Sequence, residues 1–302
     1  MKALVKEHPA PGLSIRDIEE PQIQNTDDVK FKVEFCAICV GETKVYDWNE
    51  WAANDPTLEL PTVLGHEAAG VVTKAGSDVS VFKPGDRITV DPFIHCGYCY
   101  QCRSGHHNMC VDREIYGKRR GAFAEYAILP ERSICKIPDT LSLEEGAVLE
   151  NFGIAMHAVE TEAHDPGDLA VVIGCGPIGV LAAKTLMAEG VNVVLTDLKE
   201  WRLRAAEKIS GCTVFYYDAQ RDQTGEYHRP DLGNMAENGT AHRVEQNRPE
   251  DIYYSRVAIG RICQRVRNGK VAECNESFAQ ALMKGKDEKV FFRPSSAAPW
   301  AL

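Results

Sequence analysis

Four cysteines, Cys96, Cys99, Cys102 and Cys110, follow the spacing C-x2-C-x2-C-x7-C. The short gaps let successive thiolates curl around one ion, and the longer last gap lets the chain return to close a tetrahedron. Four thiolates leave no open position, so the motif predicts a zinc that folds a loop rather than one that does chemistry. An iron–sulfur cluster fits less well. Ferredoxin-type runs put the fourth cysteine after three residues and before proline, whereas here seven residues intervene and Val111 follows. His106 and His107 lie inside the loop and are expected as solvated side chains, because four sulfurs already complete the shell.

A second set is scattered along the chain. His66 and Glu67 stand in PTVLGHEAAGVV, Cys39 in FCAICVGETKVYDWNEWA, and Glu150 in GAVLENFGIA. A thiolate, an imidazole and two carboxylates could hold zinc with room for a water or a substrate oxygen. Spacing alone leaves this reading level with a blander one: a core cysteine, a buried histidine and solvated glutamates.

The third candidate is LAVVIGCGPIGVLAAKTLMAEGVNVVLTD, residues 169–197. An apolar strand, 169–173, runs into Gly174-Cys175-Gly176-Pro177-Ile178-Gly179, and a helix follows from about Pro177 to Glu189. A second strand, 191–196, ends in Asp197. The first glycine permits the tight turn, the second lets a pyrophosphate reach the backbone, and the third lets helix and strand pack closely. The helix N-terminus offers N–H groups and a positive dipole end to phosphate. Asp197 stands where a carboxylate binds both ribose hydroxyls and repels a 2′-phosphate, so NAD is expected over NADP. Arg202 and Arg204 lie nearby and would soften that preference unless they are ordinary surface arginines.

The elements that position these residues have an ordinary composition, 44% hydrophobic and 26% charged over 302 residues, enough for two domains. A net charge of −10 argues against nucleic-acid and acidic-membrane partners. The start has no signal-like apolar stretch, and no segment reads as a membrane span. A cytoplasmic location is expected, where thiols stay reduced and eleven cysteines point to metal or catalysis before disulfides. Cys36, Cys135, Cys175, Cys212, Cys263 and Cys274 have no ligand spacing and are expected as small buried hydrophobes.

Taken together, YDWNEWA, the Gly65-His66-Glu67 triplet, the CGYCYQC run and AVLENFGIA resemble the zinc-dependent medium-chain alcohol dehydrogenases, in particular their threonine dehydrogenase branch. The resemblance covers residues 1 to about 215 and resumes near the end. It implies an α/β chain: a GroES-like β-rich catalytic domain plus a Rossmann-type doubly wound domain. It implies a catalytic zinc near Cys39, His66 and Glu67, with Glu150 as a further or exchanging ligand, and a structural zinc on the four cysteines. The implied activity is oxidation of a secondary alcohol, L-threonine at its 3-hydroxyl first, through a zinc alkoxide and hydride transfer to NAD. A sorbitol-type polyol dehydrogenase and a catalytically impaired, zinc-stabilised NAD-binding remnant are the alternatives.

The departures concern the proton path. Gly41 stands where the family has a threonine hydroxyl, Glu42 replaces its aspartate, and Lys44 replaces its relay histidine. Glu42, Lys44 or water is left to carry the proton, with Thr43 able to fill the gap only if the backbone shifts. Asn151 follows Glu150 where the family usually has proline. Trp48 and Trp51 line a substrate cleft or pack in the core.

The expected organisation is a catalytic domain at 1–150, a cofactor domain at 151–250, and a C-terminal return at 251–302. Residues 219–250 lack apolar periodicity and read as irregular or disordered, so the second half of the cofactor domain is expected to be truncated. Helical patterns near 257–266 and 277–283 and a strand at 289–293 complete the return. The family's dimerising strands would fall in the missing half, which leaves a homo-oligomer open.

Overall fold

The alternating run DVKFKVEFCA sets the frame of the first half of the chain: Val29, Phe31 and Val33 are fully buried, while Lys30 and Lys32 face the other way. The structure, a computed structural model, describes residues 1–161, 163–216 and 291–292. It divides into two units, the first formed by residues 1–150 together with Phe291–Phe292, the second by the described residues from Asn151 onward.

In chain order, the first unit holds β1 (Lys2–Lys6), β2 (Ser14–Asp17) and β3 (Asp28–Ala37), then helices α1 (Val40–Asp47) and α2 (Glu50–Ala53). Strands β4 (Thr62–Val63), β5 (Glu67–Ala75), β6 (Arg87–Val90) and β7 (Phe93–Ile94) follow, then the short helix α3 (Tyr100–Arg103). After β8 (Glu114–Ile115), β9 (Tyr126–Pro130) and β10 (Ile134–Lys136) come α4 (Leu143–Gly146) and then α5 (Leu149–Glu160), which begins in the first unit and continues into the second. The second unit adds β11 (Leu169–Ile173), α6 (Pro177–Ala188), β12 (Asn192–Asp197), α7 (Glu200–Ser210) and β13 (Thr213–Tyr216). A last strand, β14 (Phe291–Phe292), returns to the first unit and pairs antiparallel with Ala37 and Cys36 of β3.

The main sheet runs β10-β6-β5-β3-β14, with β9 also on β3, and its core packs Phe31, Ile88, Leu129 and Ile134. Its decisive feature is the antiparallel register of β3 and β5, which sets Ala37 opposite Glu67. Cys39, two residues beyond Ala37, and His66, one before Glu67, therefore leave the same end of the strand pair. Gly65 is required just there: its φ is +97°, and a Cβ would lie 2.8 Å from the Phe123 nitrogen.

In the second unit β11, β12 and β13 form a parallel sheet in that order, with α6 and α7 as the connecting helices. Pro177 opens α6, where a missing N–H costs nothing, and Gly211 closes α7 in the left-handed conformation. The sequence-based helix end at Glu189 falls one residue short, at Ala188, and the second strand runs 192–197 instead of 191–196. The irregular segment 219–250, the expected truncation, and the helices near 257–266 and 277–283 lie outside the described residues, as does all of the 289–293 strand except Phe291 and Phe292.

Candidate metal centres and dinucleotide cradle

The four-cysteine loop closes on itself. Ligand atoms of Cys96, Cys99, Cys102 and Cys110 all lie within 4.8 Å of one another. Backbone N–H groups already point at sulfur: Cys96 N donates to Cys110 Sγ and Cys99 N to Cys96 Sγ, both at 3.4 Å. Such donors favour thiolate, and the Cys99 thiol is drawn down to about 6, chiefly by the Cys102 N–H, while burial pushes Cys102 up. Four convergent sulfurs with amide support fit zinc. His107 stacks on His95 at 4.1 Å, and His95 Nδ1 lies 4.0 Å from Cys102 Sγ. The sequence reading had no signal for this stacked pair. His106 is exposed, as expected, with Nδ1 3.2 Å from Ser104 Oγ.

The open set is assembled by the sheet. Cys39 caps α1, its Sγ 3.4 Å from the Gly41 nitrogen. One turn into the helix, Glu42 turns inward. Its Oε2 accepts the Cys39 N–H at 2.6 Å and its Oε1 lies 2.5 Å from His66 Nδ1. Cys39, Glu42 and His66 form one group of ligand atoms within 4.8 Å, and His66, Glu67 and Glu150 form another. His66 is common to both; the four residues Cys39, His66, Glu67 and Glu150 do not form one group at that distance. Glu150 sits in the first turn of α5.

Three carboxylates here are almost fully buried: Glu42 is 5% exposed, Glu67 0% and Glu150 6%. Sulfur, imidazole nitrogen and carboxylate oxygens brought this close together are the donor types that hold a divalent cation such as zinc. Burial by itself would lower the His66 pKa, but the Glu42 charge and the Cys39 contact outweigh it and hold the imidazole well above 6.5. Burial raises the Cys39 thiol above 9.0 against the opposing pull of His66.

The structure shows what the residues of the expected proton path touch. Glu42 Oε2 accepts the Cys39 N–H and Oε1 pairs with His66 Nδ1, so the carboxylate is turned toward the donor set. Thr43 does not fill the gap at Gly41; it is exposed and its Oγ1 donates to Val40 O at 2.8 Å. Lys44 rests over Trp51, 5.2 Å from the ring centroid. The two tryptophans part company: Trp48 packs against the main core, while Trp51 is 43% exposed.

The dinucleotide cradle has the strand, turn and helix that the spacing predicted. Gly174 has φ +108°, and a Cβ on Gly176 would meet nothing within 4 Å, which leaves that backbone open to a ligand. A Cβ on Gly179 would lie 1.9 Å from Gly174 O, so only glycine lets helix and turn meet. Ile178 follows Pro177 in the first turn of α6, where N–H groups lack partners within the helix. Asp197 Oδ2 accepts the Cys175 N–H at 2.9 Å and Oδ1 accepts the Lys199 N–H at 2.8 Å. Arg202 Nη1 stands 3.8 Å from Asp197, so its charge is turned toward that carboxylate. The glycine turn and the acid fit a dinucleotide.

Residues 25–139 match the model of the alcohol dehydrogenase GroES-like domain. The L-threonine 3-dehydrogenase of Cronobacter sakazakii is 38% identical over 211 residues, 69% of this chain and 61% of the relative. That of Idiomarina loihiensis is 39% identical over 214 residues, with the same 69% and 61% coverage. The chain thus spans about three fifths of the length of the curated relatives it matches. Among solved structures, a putative zinc-binding dehydrogenase from Sinorhizobium meliloti bound to NADP is 33% identical, with a TM-score of 0.65 over 74% of this chain and 63% of that one.

Proposed function

Because this chain belongs, over its described residues, to the zinc-dependent medium-chain alcohol dehydrogenases, we propose that it oxidises a secondary alcohol with NAD, L-threonine at its 3-hydroxyl being the substrate. The observation that carries the proposal is that His66 is shared by two sets of convergent donors, one with Cys39 and Glu42 and one with Glu67 and Glu150. A zinc held there would supply a Lewis acid that acidifies a hydroxyl, and NAD at the glycine turn would supply the hydride acceptor. Cys39 Sγ, His66 Nε2 and the carboxylates of Glu67 and Glu150 are the proposed ligands. Glu42 occupies Nδ1 of His66 and so leaves Nε2 for the metal. Cys96, Cys99, Cys102 and Cys110 hold a second zinc that shapes their loop. Gly174, Gly176 and Gly179 bring the pyrophosphate to the backbone, and Asp197 keeps acceptor sites for ribose hydroxyls. A reducing compartment such as the cytoplasm would keep these thiols available.

The test pairs metal analysis with turnover. The full-length, zinc-loaded protein should hold about two zincs per chain, one for each donor set, and form NADH from L-threonine above background. A sorbitol-type polyol run in parallel separates the substrates. Zinc at both sites with no turnover of either alcohol would sink the proposal.

Gly41 favours a second reading, an impaired enzyme, since no hydroxyl stands at that position. The defect is testable by repair: a Cβ at Gly41 would meet only Cys39 Sγ, at an ordinary 3.8 Å. Gly41→Thr should then raise kcat by roughly 100-fold, the low end of what a positioned proton carrier contributes. An unchanged kcat would remove the missing hydroxyl as the cause.

A further inference from the structure

Of Lys44 and the three consecutive cations Lys118, Arg119 and Arg120, three are paired. Lys118 Nζ meets Asp55 Oδ2 at 2.6 Å, Arg119 meets Glu59 at 2.8 Å and Arg120 meets Glu114 at 3.3 Å. Lys44 forms no ion pair among the described residues. Its Nζ lies 5.2 Å from the Trp51 centroid, and Lys118 Nζ lies 5.6 Å from the same ring. Two ammonium groups thus flank an indole that is 43% exposed, in a chain whose net charge is −10. An ammonium half-removed from water and facing only a ring has much to gain from an anion.

Both lysines are tied to the metal set by short stretches of chain. Lys44 comes two residues after Glu42, whose carboxylate holds His66. Lys118 follows Gly117, where an added Cβ would lie 3.3 Å from the Cβ of His66. Lys118 is further fixed by Thr57 Oγ1 at 2.9 Å, so one cation is anchored while the other lacks an anion.

We propose that Lys44, with Trp51 and Lys118 beside it, is an anion subsite that reads a carboxylate or phosphate carried by the alcohol substrate. The substrate class is then an anionic secondary alcohol, and Lys44 acts in selecting substrate instead of moving the proton. The proposal rests on the oxidoreductase reading above. It accounts for a lysine at the position where the family has its relay histidine: the proton-carrying group has been exchanged for a permanent charge.

The experiment uses the zinc-loaded full chain with Lys44→Ala, Lys44→Gln and Lys44→Arg. Turnover is compared for two carboxylates, L-threonine and 3-hydroxybutyrate, for glycerol 3-phosphate, and for neutral 2-butanol. Calorimetry measures binding of the same compounds without turnover. Loss of the charge should lower the ratio of kcat/KM for anionic over neutral alcohols at least tenfold, mostly through KM, with Lys44→Arg restoring most of it. The carboxylate and phosphate arms identify which anion is read. A fall in kcat shared by anionic and neutral alcohols, with an altered pH profile, would make Lys44 a proton carrier and overturn the proposal. Equal KM changes for both classes, or anion binding that ignores Lys44 or is undetectable, would overturn it too. If no alcohol is turned over but 3-hydroxybutyrate or glycerol 3-phosphate binds in a Lys44-dependent way, the oxidoreductase reading falls and the subsite stands.

Discussion

The two proposed metal sites of the first unit are built by opposite routes. The cysteine knot draws all its donors from one loop, Cys96 to Cys110, and its supporting N–H groups come from the same loop. The open set draws Cys39, His66, Glu67 and Glu150 from a helix cap, a strand entrance and a distant helix; the β3–β5 register brings Cys39 and His66 to one end, and His66 also lies with Glu67 and Glu150. A local knot needs its metal to be folded, because little else fixes a loop whose only regular helix is four residues long. A set mounted on a packed sheet has its shape fixed by hydrophobic burial and would use a metal for chemistry. The difference predicts where metal loss is a stability event and where it is a functional one.

Cys102→Ser against His66→Ala is the strongest way to break that contrast. Cys102 is 4% exposed, and its loss removes one of the four convergent sulfurs. We expect about 4 kcal/mol or more of destabilisation, the range reserved for loss of a structural metal, together with loss of about one zinc per chain. His66→Ala should also release about one zinc yet cost less than half as much stability, because the sheet beneath it stays packed. Urea unfolding with parallel metal analysis reads both. Equal destabilisation by the two variants would mean that the open site, too, is structural.

Glu42→Gln sharpens the comparison within the open set. The carboxylate accepts the Cys39 N–H and pairs with His66 Nδ1, and an amide keeps only one of its two atoms as an acceptor. The variant should weaken zinc at the open site about 10- to 100-fold, the usual cost of an altered second-layer partner, and leave the knot's zinc in place. Chelator competition that strips one zinc early and the second at its original concentration is the expected result. Simultaneous loss of both would show that Glu42 supports the fold as a whole.

The same contrast explains what could be read from the sequence. The knot and the glycine cradle are encoded in short spacings: seven residues between Cys102 and Cys110, and Gly174, Gly176 and Gly179 between two apolar strands. Their elements were therefore legible to within a residue or so. The open set was not, because nothing in the residues around Cys39 states that Ala37 pairs with Glu67; that register comes from burying Phe31 and Val33 on one face. Resemblance to a family supplied what spacing could not. Glu42 was legible only in part. A carboxylate three residues after a helix cap is expected to face the cap, as its bond from the Cys39 N–H does, and only the tertiary structure places its other oxygen against His66. Lys118 and Asp55, 63 residues apart, carried no sequence signal at all.

That last pair offers the smallest test. Asp55 would titrate higher because it is partly buried, but its bonds from Lys118 and Thr57 hold it below its ordinary 3.8. A depressed carboxylate contributes stability that is present above its unfolded value and is lost as pH falls through the lower folded value. Asp55→Asn should therefore cost about 1 kcal/mol at neutral pH, a modest sum for a pair that is only partly exposed, and the difference from wild type should hold down to pH 5 and close below about pH 4. Thermal melts across that range measure it. The same substitution leaves Lys118 without its acid beside Trp51, so affinity for 3-hydroxybutyrate should rise in the variant while affinity for 2-butanol does not. A stability loss that persists below the titration of the carboxylate would mean that Asp55 acts through packing, and the rim of the open site would then owe its charge to Lys44 alone.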